Sequence, residues 1–85
     1  MNKNNDVELD FIRKITGEQL IYLLKELGIF QKDYARKIIP PLNTAQAINK
    51  LRNQNKISYR YIKPLTDEYS IEFLINILKD KYEVS

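Results

Sequence analysis

The chain has 85 residues with 14 Lys plus Arg against 11 Asp plus Glu, a net charge of +3, and neither His nor Cys. That length makes one small domain with a thin core, because folds of this size bury only about 60 to 65% of the surface their unfolded chains expose. Without His or Cys there is no zinc finger, thiol nucleophile, Ser-His-Asp or Cys-His device, or disulfide framework, so no enzyme activity and no metal or other cofactor is expected, and a binding role is favoured.

Residues 1–10 are polar and acidic, with no apolar stretch behind a basic one, so no secretory signal is expected. Residues 1–5 are expected to fray, and Val7, Phe11, Ile12 and Ile15 recur at helical spacing, making an amino-terminal segment 1–15 that is partly helical. Thr16 with Gln19 three residues on forms a capping-box pattern, and Ile15 before the cap can staple onto Leu20. Leu20, Leu23, Leu24 and Leu27 then make one apolar stripe, and Gly28 supplies the left-handed stop. The longest apolar run, residues 20–24, is far short of the roughly 20 needed to span a bilayer, so a cytoplasmic location is expected.

A second helix is predicted over residues 31–38, with Tyr34, Ala35 and Ile38 inward and Lys32, Asp33, Arg36 and Lys37 outward. Pro40 and Pro41 end it, since neither donates an N–H and each restricts the residue before it. Asn43 reads as the next N-cap, with Gln46 at the third helical position, opening a helix through Ala47, Ile48 and Leu51 to about residue 53. Its polar side carries Thr44, Gln46, Asn49, Lys50, Arg52 and Asn53. Residues 56–63 admit two readings: a wing strand, from the alternation of Ile57, Tyr59 and Tyr61 with Lys56, Ser58 and Arg60, or a helix capped by Ser58 with Pro64 forcing a kink or a late start. The lack of a second strand to pair with favours the helix. Residues 71–82 form the last helix. Ile71, Phe73, Leu74, Ile75, Ile77, Leu78 and Tyr82 make it apolar over more than one face, which predicts a homodimer contact through Phe73, Ile75 and Ile77. The fold class expected is all-α, a compact bundle of about five short helices, with residues 16–85 as its main body.

The charge is unevenly placed. Residues 32–63 hold eight cations and one anion, a net charge of +7, whereas residues 1–31 carry −1 and residues 64–85 carry −3. A basic centre between acidic flanks is the footprint of a polyanion-binding face.

Two short helices joined closely, the second exposing Thr, Gln, Asn, Lys and Arg, suit a recognition helix in a DNA major groove. Gln and Asn can bond adenine through two atoms, Lys and Arg reach guanine or phosphate, and Thr can touch a thymine methyl. The run Gly28-Ile29-Phe30-Gln31-Lys32-Asp33-Tyr34-Ala35 resembles the G-L-T-Q-x-x-L-A that opens the second helix of the Cro and lambda-repressor-like (Xre-type) helix-turn-helix family. Ile48 and Leu51 match the buried positions of that family's recognition helix, and Ile62, Leu65, Thr66, Tyr69 and Ile71 are similar to its later L-x-x-L-A-x-x-L-x-V pattern. The departures are Phe30 for the capping Thr, Tyr34 for Leu, and a longer turn, Ile39-Pro40-Pro41-Leu42, without the usual Gly. The resemblance implies a repressor-like, sequence-specific regulator of phage or mobile-element type, acting as a homodimer on double-stranded DNA. It implies Gln31 and Lys32 near the backbone, Asn43 and Thr44 at the recognition helix amino terminus, Gln46, Asn49 and Lys50 toward base edges, and Arg52, Asn53 and Lys56 on flanking phosphates. A different class remains open: a protein-interaction module, such as an antirepressor or inhibitor, that keeps the fold and binds a protein instead.

Overall fold

Apolar residues at helical spacing fold residues 3–82, the part of the chain described by the computed structural model, into six α-helices and two 3-10 turns, with side chains described from Val7 onward. In order these are α1 (Lys3–Arg13), α2 (Gly17–Leu27), α3 (Gln31–Lys37), α4 (Ala45–Asn49), the 3-10 turn Lys50–Asn53, the 3-10 turn Tyr59–Tyr61, α5 (Lys63–Glu68) and α6 (Ile71–Lys79). The fold is all-α, as expected, and there is no strand among the described residues. Met1 and Asn2, expected to fray, and the last three residues of the 16–85 body lie outside the described residues. Lys3, Asn4 and Asn5 belong to α1, whose inner residue Ile12 is fully buried; α1 packs against α6 and shares the common core.

The local signals near α2 close as the residue types require. The Gln19 N–H donates to Thr16 Oγ1 at 3.2 Å while Gln19 Oε1 accepts from the Thr16 N–H at 2.9 Å, completing the capping box. Gly28 sits in the left-handed region at φ 71°, which residues with a Cβ adopt only at a cost, and the following Ile29 N–H bonds the Leu24 carbonyl at 2.9 Å.

Four expectations shift. The helix expected from Asn43 to about residue 53 is α-helical only over Ala45–Asn49 and continues as the 3-10 turn Lys50–Asn53. The cap of α4 is Thr44, one residue later than Asn43, because Thr44 itself is still extended (φ −143°, ψ 159°), and its side chain makes no bond to the helix end. Residues 56–63 form neither a strand nor a helix started by Ser58: a single 3-10 turn leads to a late α5, with Pro64 in its first turn, where a missing N–H costs nothing. The last helix stops at Lys79 rather than residue 82, the chain closing in a turn whose Tyr82 N–H bonds the Leu78 carbonyl at 2.8 Å. It is wide in its apolar arc because it serves two neighbours, α1 and α2, and Leu74, Ile75 and Leu78 are all buried there.

Two contacts set the geometry of the central helices. Gly17 lies against the backbone of the turn Lys50–Asn53, so closely that a Cβ would overlap the Leu51 carbonyl, and the Gly17 N–H donates to the Gln54 carbonyl at 3.0 Å. Tyr34, buried at 1% exposure, donates its hydroxyl to the Tyr61 carbonyl at 2.6 Å and ties α3 to the turn Tyr59–Tyr61. Burial holds that phenol well above its ordinary value.

Gly17→Ala is expected to cost about 3 kcal/mol, lowering Tm by roughly 12 to 20 °C in a thermal melt, because backbone cannot move aside as a side-chain rotamer can. Tyr34 stays protonated in the fold while the unfolded phenol ionises from about pH 10, so its contribution is intact below that pH and falls above it by about 1.4 kcal/mol per pH unit. Denaturant titrations at rising alkaline pH should show that decline in the parent and a shallower one in Tyr34→Phe.

Candidate nucleic-acid interface

α3 and α4 pack directly on each other, and the connection between them is pinned rather than slack. The Leu42 N–H donates to the Ala35 carbonyl at 3.0 Å, the Arg60 guanidinium donates to the Pro40 carbonyl at 3.3 Å, and Ile38 is fully buried. From the other side Ile48 and Leu51 turn α4 and its 3-10 continuation into the core against the first turn of α2. With those residues inward, Gln46, Asn49, Lys50 and Asn53, at i, i+3, i+4 and i+7, form the outward stripe, and all four are exposed. Asn43 and Thr44, both exposed, stand at the amino-terminal end of that stripe.

The other predicted site residues sit around this helix. Gln31, half-buried, and exposed Lys32 open α3, and exposed Lys56 lies in the loop after Asn53. Arg52 leans toward α2: its guanidinium donates to Asn49 Oδ1 at 3.3 and 3.4 Å, and it lines a shallow cavity of about 140 Å³ with Glu18, Ile21, Tyr22, Lys25 and Lys81. The expected dimer patch does not stay together. Phe73 is 46% exposed and stacks on Tyr69 with centroids 5.7 Å apart, Ile77 is half-buried, and Ile75, only 5% exposed, belongs to the core.

Folding also redistributes the charge. Lys37 pairs with Glu68 at 3.3 Å across 31 residues, and Lys63 pairs with Asp67 at 3.0 Å one turn along α5, so two of the eight central cations are neutralised by the acidic stretch after residue 64. Arg60 lies 4.4 Å from the Tyr61 ring centroid and donates to the Tyr61 hydroxyl at 2.7 Å. Lys32, Arg36, Lys50, Arg52 and Lys56 form no ion pair among the described residues. On α3 Lys32 and Arg36 lie one turn apart in one row, and Asp33 and Lys37 lie one turn apart in the row beside it. Sequence reasoning passed over Gly17, Arg60 and the Tyr34 hydroxyl; the one available sign was a glycine at the first position of a helix that has no need of flexibility there.

No family model matches the chain, and neither a curated protein nor a solved structure matches it. No helix among the described residues is long and apolar enough to cross a membrane.

Because Thr44 occupies the N-cap without using its side chain, Thr44→Asp is expected to raise stability by about 0.5 to 1 kcal/mol, or roughly 3 to 6 °C in Tm, by accepting a first-turn N–H. Calorimetry on the two proteins measures it.

Proposed function

We propose that the chain is a small DNA-binding regulator, repressor-like in action, that reads the major groove with residues 45–53. The observation that carries this reading is a coincidence of place. The exposed Gln46, Asn49, Lys50 and Asn53 share one stripe, and five of the central cations without an ion pair among the described residues lie close to it in the chain: Lys32 and Arg36 on α3, Lys50 and Arg52 in the turn Lys50–Asn53, and Lys56 in the loop after it. In this reading Gln46, Asn49 and Lys50 meet base edges, Asn43 and Thr44 lie at the entrance to the groove, and Gln31, Lys32, Arg52, Asn53 and Lys56 hold phosphates. Asn49 bonds adenine with both amide atoms only if Arg52 releases its Oδ1; Arg52 is exposed and a phosphate offers it a stronger, charge-assisted acceptor, so the exchange is favourable on contact with DNA. A regulator of this kind works where the DNA is, which for the expected source means the cytoplasm.

A second reading, a protein-interaction module, is favoured by Phe30 and Ile39, 76% and 81% exposed, which a groove-reading role does not employ. Anisotropy titration of labelled duplexes separates the two. If Lys32, Arg36, Arg52 and Lys56 each neutralise a phosphate, affinity should fall about 150-fold between roughly 50 and 200 mM salt, and the Gln46→Ala, Asn49→Ala, Lys50→Ala triple variant should lose preference among sequences while keeping residual salt-dependent binding. Absence of binding to any duplex at low salt would sink the regulator and leave the module.

A further inference from the structure

Glu18, Ile21, Tyr22 and Lys25 stand at i, i+3, i+4 and i+7 on α2 and so share one face of it. That face lines the shallow cavity of about 140 Å³ whose other walls are Arg52, from the turn Lys50–Asn53, and Lys81, from the turn after α6. Ile21 is buried and Tyr22 half-buried, whereas Lys25, Arg52 and Lys81 are exposed.

Contacts within the chain hold these walls in place. The approach of Gly17 to the Leu51 carbonyl seats the turn that carries Arg52. The Lys81 N–H donates to the Leu78 carbonyl at 3.1 Å, and its ammonium lies 5.1 Å from the Tyr22 ring centroid and 5.5 Å from that of Tyr82, two rings that meet edge to face at 5.7 Å. Along the sequence the cluster is hidden: only Arg52 belongs to the basic residues 32–63, while Lys25 and Lys81 come from stretches of net charge −1 and −3.

Three cations and one carboxylate line the cavity. The carboxylate, Glu18, accepts the Tyr82 hydroxyl at 3.3 Å, and Lys25, Arg52 and Lys81 form no ion pair among the described residues. Glu26 and Asp80 lie near Tyr22 without lining the cavity. Like charges gathered round so small a space repel one another until an anion joins them. The volume is well below the roughly 300 Å³ at which pockets for drug-sized ligands begin, so the anion is one compact group. The two oxygens of a carboxylate lie in one plane, whereas those of a phosphate are tetrahedral, so cations from three elements can meet on a single phosphate, and the Arg52 fork matches it through two N–H bonds. We propose that this cavity is a binding site for a phosphate group, held by Lys25, Arg52 and Lys81. Arg52 then leaves Asn49 Oδ1, a neutral acceptor it holds only at 3.3 and 3.4 Å. The site stands whether or not the DNA-binding reading does; that reading adds the DNA backbone as one source of the phosphate beside a free phosphorylated compound.

Nuclear magnetic resonance titration of the full chain with inorganic phosphate, at constant ionic strength and without DNA, tests the site. Saturable shifts are expected at the Arg52 Nε–H, at Tyr22 and at the Asn49 side-chain amide, with acetate giving none. Lys25→Gln and Lys81→Gln, exposed changes that leave the core intact, should each weaken phosphate by about two- to five-fold, while Lys79→Gln, outside the cavity, should not. Duplex titrations of the same variants then distinguish the sources. A duplex affinity lowered by Lys25→Gln and Lys81→Gln but not by Lys79→Gln makes DNA the donor of the phosphate; with phosphate bound, an unchanged duplex affinity, or no duplex binding at all, makes it a free compound. Phosphate affinity equal in the parent and both cavity variants overturns the proposal, as does acetate binding as tightly as phosphate. It also fails where phosphate does not saturate and no duplex binding responds to the cavity variants.

Discussion

The missing side chain of Gly17 is the constraint on which the rest of the structure depends. Because there is no Cβ, the first residue of α2 meets the backbone of the turn Lys50–Asn53 directly, and its N–H closes onto the Gln54 carbonyl. The contact joins backbone to backbone, so it has no rotamers to lose and little room to adjust. Thr16, one residue earlier, caps the same helix, so one corner of the chain both starts α2 and seats the 3-10 turn that continues α4. Everything exposed on α4 and the turn after it takes its direction from that seat: with Leu51 and Ile48 turned in, Gln46, Asn49, Lys50 and Asn53 are left on the exposed side.

A second tie holds the other half. Tyr34 substitutes a long aromatic with a polar tip for a purely apolar core residue, and its hydroxyl reaches the Tyr61 carbonyl at a depth where an unmade bond would be costly. That bond draws the turn Tyr59–Tyr61, and α5 behind it, over one flank of α3. Glu68 of α5 arrives with it and pairs with Lys37, whereas Lys63 pairs with Asp67 one turn along α5 itself, and Lys32 and Arg36 form no ion pair among the described residues. Exposed pairs of this kind add little stability. Their effect is on the field: they sort a uniformly basic segment into a balanced side and a side with unpaired cations.

The features that could be read along the chain are those closed within about one helical turn. The capping box of Thr16 and Gln19, the left-handed Gly28, the inward Ile48 and Leu51 and the helix stop before Pro40 each rest on residues no more than a few positions apart, so local geometry leaves them little choice. The exposed character of Gln46, Asn49 and Lys50 followed from the same periodicity, which orients a helix face without saying what lies opposite.

Tertiary structure decided the rest, wherever partners distant in sequence compete for a residue. Periodicity alone could show that α6 is apolar over a wide arc, but only the simultaneous packing of α1 and α2 on it assigned Ile75 to the core and left Phe73 outside. The cap fell at Thr44 rather than Asn43, in a connection that the Leu42 N–H bonds back to the Ala35 carbonyl. The +7 of residues 32–63 was a property of the sequence; its division into paired and unpaired cations depended on Glu68 meeting Lys37 across 31 residues. Composition and local spacing thus determined the helices and their inner faces, because those depend on neighbours in the chain, whereas the arrangement of charge and of exposed apolar surface depended on neighbours in space.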